Sequence, residues 1–80
     1  MATIELFGTS SCPHTREMRE WLELRRVTFA EYDVEIDAEA RRRMRDYAGA
    51  ERTVPILVED GTVVRVGWQG RGCLVGECPL

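Results

Sequence analysis

The sequence predicts an α/β fold in the order β-α-β-α-β-β, with a mixed four-stranded sheet covered by helices. Three observations carry this reading. Short runs rich in β-branched and large apolar residues alternate with two stretches of helical period. The first run, the first helical stretch and the second run have the spacing of a βαβ unit, whose strands are parallel and whose crossover is right-handed. Near the C-terminal end, Asp60-Gly61 lies between two apolar runs, a strong short-range signal for an antiparallel hairpin.

Thr3 to Phe7 form the first predicted strand, stopped by Gly8. Pro13 suits the first helical position, where its missing N–H costs nothing, with Ser11 or Cys12 as the N-cap. From there Met18, Trp21, Leu22 and Leu24 recur at helical spacing and predict an apolar stripe running to Arg26. Val27 to Val34 read as the second strand. Asp37 opens a second helix with an inner stripe of Ala40, Met44, Tyr47 and Ala48, ended by Gly49. On that helix Arg41, Arg42, Arg43 and Arg45 read as a solvated face paired with Glu39 and Asp46. Val54 to Val58 and Thr62 to Val66 are the two hairpin strands. The glycine-rich tail beyond Val66 is expected to be a loop with one or two helical turns at most.

Eighty residues at 44% hydrophobic and 31% charged bound the function to one domain, residues 1–80, with room only for a shallow site. The formal net charge of −3 argues against nucleic acid, whose partners carry basic excess. All 11 cations are arginine. No apolar run approaches the ~20 residues that span a bilayer. The start Met1-Ala2-Thr3-Ile4-Glu5 lacks a basic flank before an apolar stretch, so no secretory leader and a cytoplasmic location are expected. Three cysteines, Cys12, Cys73 and Cys78, are an odd number for a structural disulfide framework. They raise the question of a reactive or metal-binding thiol.

Cys12 is the leading candidate. Between a strand end and a helix start, its sulfur faces unpaired backbone N–H groups and the positive end of the helix dipole. Both favour the thiolate and are expected to bring the thiol below its ordinary pKa of about 8.5. The alternative is a small buried residue at a loop end, which the polar neighbours Ser10, Ser11 and His14 disfavour. His14, adjacent in sequence at a helix start, is expected to face solvent and modulate charge. Thr53-Val54-Pro55 places a proline at a strand start, one of the few positions a sheet tolerates. Only about 5–6% of X–Pro bonds in folded proteins are cis, so Pro55 alone favours trans.

Gly8-Thr9-Ser10-Ser11-Cys12-Pro13-His14-Thr15, then Thr53-Val54-Pro55, then the Asp60-Gly61 hairpin, together resemble the glutaredoxin branch of the thioredoxin fold across residues 3–70. The resemblance implies a thioredoxin-like core with a shortened C-terminal helix and thiol–disulfide oxidoreductase activity. It implies a cis Val54-Pro55 bond beside Cys12, and a Val54 backbone that pairs with bound peptide or glutathione. Pro13, Thr53, Val54, Pro55 and Trp68 are then the expected substrate-binding residues. Thr15 stands where dithiol members carry their second cysteine, as in monothiol members. Gly67-Trp68-Gln69-Gly70 replaces the usual Gly-Gly and acidic pair, and no lysine precedes Cys12.

The segment Gly67-Trp68-Gln69-Gly70-Arg71-Gly72-Cys73 resembles the UXX-star glutaredoxin-like subfamily, some of whose members place selenocysteine at the position of Cys12. Its Trp-x-Gly is similar, more weakly, to redoxins that serve ribonucleotide reductase and are recharged by thioredoxin reductase. In the implied fold the hairpin returns Val66 beside Pro55 and therefore beside Cys12. The tail glycines tolerate a tight return. Cys73 then has two readings: a packed thiol, or a thiol that resolves a mixed disulfide on Cys12. Oxidation is expected to pair Cys12 with Cys73 rather than with Cys78.

No cofactor is required by this reading, glutathione being an optional one. Cys12, Cys73 and Cys78 lack a fourth ligand and any C-x-x-C spacing for zinc. The expected partners are a disulfide-containing protein or small-thiol substrate, and glutathione or a thioredoxin-reductase-like reductant. The rival is a non-catalytic iron–sulfur carrier or redox adaptor on the same fold.

Overall fold

In the computed structural model, which describes residues 3–74, the central pair of strands is β1 (Ile4–Gly8) against β4 (Ile56–Glu59). Parallel β2 (Ala30–Asp33) flanks β1, and antiparallel β5 (Thr62–Val66) flanks β4, giving the order β2-β1-β4-β5. This is the mixed four-stranded sheet expected from the sequence. Helices α1 (Pro13–Leu24) and α2 (Ala38–Ala48) follow β1 and β2 respectively.

The period of two along β1 and β4 divides the core between the two faces. Leu6 and Leu57 pack with Met18 and Leu22 of α1. Phe7, Ile56 and Val58 pack with Val34, with Ala40 and Met44 of α2, and with Cys12 and Val54. Phe7 stacks on Tyr32 at 5.1 Å between ring centroids and meets Tyr47 at 6.0 Å. The Asp60-Gly61 turn has φ of 52° and 81°, the left-handed pair that a two-residue hairpin loop requires. Asp37 caps α2 by accepting from the backbone N–H of Glu39 at 3.0 Å and of Ala40 at 3.2 Å.

Four expectations are corrected. The second strand covers Ala30–Asp33 rather than the whole of Val27 to Val34. Leu24 is 84% exposed, because two residues after the buried Leu22 it lies on the opposite face of α1, turned to solvent. The third strand is interrupted: β3 (Thr53–Val54) ends before Pro55, which has no N–H to donate, and β4 starts after it. The tail through Leu74 is not helical. Cys73–Leu74 form β6, which pairs antiparallel with β3 as a separate two-stranded sheet.

The arginine face of α2 also divides. Arg42 pairs outward with Glu39 and Asp46, and its hydrogen bond and charge hold the Glu39 carboxyl below the usual carboxylate range. Arg43 instead turns inward and pairs with Glu5, a carboxylate only 4% exposed on β1. It also donates to the Tyr32 hydroxyl at 3.2 Å and lies over that ring. The Tyr47 and Tyr32 hydroxyls, together with Glu5, raise its pKa.

Removing Arg43 leaves Glu5 buried without a counter-charge, so Arg43→Ala should cost about 3 kcal/mol in urea unfolding. Arg42→Ala, on the open face, should leave the midpoint close to wild type. Equal effects of the two substitutions would contradict this division of the helix.

Candidate functional site

Cys12 is the N-cap of α1, with extended backbone at φ −90° and ψ 115°, and Pro13 is the first helical residue. Its C=O accepts from Arg16 N at 3.2 Å, closing the first helical turn, and its own N–H donates to Thr9 O at 3.3 Å. The side chain makes no capping hydrogen bond and is 2% exposed. Beneath it Thr15 is buried against the end of β1, so closely that a Cβ at Gly8 would collide with the Thr15 side chain. This packing occupies the position three residues after Cys12.

The Val54–Pro55 peptide bond is cis. Val54 O lies 4.0 Å from Cys12 Sγ. From the other side β6 brings Cys73 opposite Val54 and Leu74 opposite Thr53. Cys12 and Cys73 are joined by a disulfide, with Cα atoms 6.1 Å apart, inside the usual range for such a bond. Glu51 supports β3 by accepting from Thr53 N at 3.1 Å, and its contacts to Thr53 hold its carboxyl below the ordinary range.

The chain between Val66 and Cys73 reverses tightly. Gly67 N donates to Pro55 O at 2.7 Å, tying the end of β5 to the proline. Trp68 and Arg71 then exchange backbone hydrogen bonds at 2.6 and 2.9 Å around Gln69 and Gly70, whose φ values are 54° and 80°. Trp68 packs on the α1 side of the sheet against Trp21, 5.6 Å between ring centroids. The guanidinium groups of Arg25 and Arg65 lie 4.8 and 5.2 Å from the Trp21 ring. Trp21 is thus a half-buried anchor rather than a closed core residue.

The structure gathers Cys12, Val54, Pro55 and Cys73 at one point, with Thr53 beside them on β3 and Pro13 exposed at the helix start. Trp68 stands with Trp21 in the cluster on the opposite face from that containing Cys12. His14 is partly buried, not solvent-facing: its Nδ1 is 3.5 Å from Glu17 Oε1 and makes no hydrogen bond. Cys78 lies outside the described residues. Among the described residues no group of three or more His, Cys, Asp and Glu is placed to hold a metal ion, and no helix is long and apolar enough to cross a membrane. Sequence reasoning missed Glu51, and it valued Gly72 for a positive φ that Gly72 does not adopt, where close approach is what requires glycine. Gly72 comes so close to Thr53 and Val54 O that a Cβ would not fit; the signal available was its place next to Cys73.

A cysteine at a helix start, bonded to a second cysteine across a cis-proline loop, defines a thiol redox protein of thioredoxin-like fold. The glutaredoxin family model matches residues 4–64, and the chain belongs to that family. The thioredoxin-like protein BC3987 is similar at 37% identity and a TM-score of 0.73, with 86% of each chain covered in its point-mutant crystal structure. The glutaredoxin of Archaeoglobus fulgidus, at 24% identity and TM-score 0.69 over 86% of this chain and 78% of its own, shares the fold. So does glutaredoxin 1 of Francisella tularensis, crystallised with cacodylate, at 19% identity and TM-score 0.65 over 85% of each chain. Comparison with curated proteins returned no match. Family and cysteine pair together make the chain a thiol–disulfide oxidoreductase.

The disulfide closes a loop with a sequence separation of 61, worth about 4 kcal/mol against unfolding in the chain-entropy model. Reduction should therefore lower the melting temperature by roughly 10 °C or more. Cys73→Ser should abolish the difference between oxidised and reduced protein, and Cys78→Ser should leave it intact. A redox-independent melting temperature in the wild type would contradict the pairing.

Proposed function

We propose that Cys12 is the attacking nucleophile and Cys73 the resolving thiol of a dithiol mechanism whose two cysteines come from distant parts of the chain. The observation that carries it is the Cys12–Cys73 bond itself, formed at the N-cap of α1. In the reduced protein the Cys12 thiolate attacks a substrate disulfide, one substrate thiolate leaves, and a mixed disulfide remains on Cys12. Cys73 then attacks Cys12 Sγ, forming the intramolecular bond and releasing the second substrate thiol.

The assignment of attacker follows from placement. Cys12 stands at the positive end of a 12-residue helix, which favours its thiolate both as nucleophile and as leaving group. Cys73 sits on a two-residue strand with no such field. Thr15, packed under Gly8, offers no thiol, so the second sulfur must come from elsewhere. Turnover needs an external reductant that returns two electrons to the pair. Family membership supports glutathione in that role. The Trp68-Gln69-Gly70 turn supports a protein reductant of the thioredoxin-reductase kind. The substrates are disulfides of proteins or small thiols.

Cys12→Ser should abolish reduction of a model protein disulfide. Cys73→Ser should take up one substrate thiol equivalent and stop, with the mixed disulfide on Cys12 visible by mass spectrometry. Full turnover by Cys73→Ser with a dithiol-free reductant such as glutathione would show a monothiol mechanism instead.

A further inference from the structure

The backbone edge beside Cys12 is occupied by the protein's own tail. β3 is two residues long and pairs with β6, so Thr53–Val54 meets Cys73–Leu74 in a short antiparallel ladder. This ladder delivers the Cys73 sulfur to Cys12. The residue before Cys73 is Gly72, and the space there is closed: a Cβ would meet Thr53 Cγ2 and come within 2.6 Å of Val54 O. The φ of Gly72 is not in the left-handed region, unlike those of Gly67 and Gly70. Glycine is needed here for close approach, and its conformational freedom is not the reason. Any cysteine presented to Cys12 in this register meets the same two atoms.

We infer that the Thr53–Val54 edge selects disulfides whose reacting cysteine is preceded by an unbranched carbon. In a polypeptide this means glycine before the cysteine, as in the protein's own Gly72-Cys73. The inference rests on the dithiol mechanism above and adds the selectivity of its first step. In that step the Cys12 thiolate bonds to the substrate cysteine sulfur. The substrate S–S bond breaks, and its electron pair leaves with the other sulfur as a thiolate. Leu74 is 77% exposed, so the position after the cysteine imposes no comparable demand. Thr53 is the specificity-determining side chain, through its methyl group.

The test uses reduced full-length Cys73→Ser, so that reaction ends at the mixed disulfide and tail docking weighs equally on every probe. The probes are 2-thiopyridyl disulfides of the hexapeptide Gln-Gly-Arg-Gly-Cys-Leu and of the same peptide with valine before the cysteine. Pyridinethione release gives the rate. Overpacking of one branched carbon predicts the glycyl peptide to react ~10-fold or more faster than the valyl one. Thr53→Ser, which lacks the methyl, should narrow this ratio. Equal rates for the two peptides would overturn the selectivity, and a ratio unchanged in Thr53→Ser would overturn the role of the Thr53 methyl. Either result leaves the dithiol mechanism standing. No reaction of Cys12 with any probe would overturn both.

Discussion

Everything at the site hangs on the antiparallel contact between Val54 and Cys73. Two residues of tail, held against two residues of loop, carry a sulfur from near the end of the described chain to the start of the first helix. Neither partner is stable alone, since a two-stranded pair of this length has almost no independent stability. The contact exists because each side is fixed elsewhere. β3 is held by Glu51 at one end and leads into the central strand β4 at the other. The tail is held by Gly67 on Pro55 O and by Trp68 on Trp21.

The helices divide the remaining work. α1 covers one face of the sheet and provides the N-terminus at which Cys12 sits, while α2 closes the other face through Phe7, Met44 and the Arg43–Glu5 pair. Cys12 belongs to the second of these cores although it begins the first helix. The reactive sulfur is thus tied to both layers, and so is its orientation toward Val54 O. The Trp68 anchor lies on the opposite face from that core. Tail attachment and thiol chemistry therefore rest on different packing, and breaking the sulfur bond leaves the anchor in place.

Most of this arrangement was legible in the sequence because its signals are local. Pro13 after Cys12 marks a helix start, Asp60-Gly61 marks a hairpin, and period-two apolar runs mark the central strands. What escaped is non-local. The inward turn of Arg43 depends on Glu5, which lies 38 positions away in the chain. Leu24 is apolar and spaced three residues from Trp21, yet it lies on the face of α1 opposite the buried Leu22. β6 has no strand signature in a segment of glycines; it forms because β3 offers it an edge and because Gly72 lets two backbones approach. The proximity of Cys73 to Cys12 followed from family topology, but the strand that creates it did not.

The central claim is that the oxidised form of the site is an internal pair. It is tested most directly by equilibrating the reduced protein in a graded glutathione redox buffer and alkylating the free thiols before mass analysis. With three cysteines in the chain, the account predicts two dominant species, one with three alkyl groups and one with a single group on Cys78. They should interconvert along a two-electron Nernst curve. Accumulation of protein carrying glutathione on Cys12 with Cys73 alkylated would contradict it.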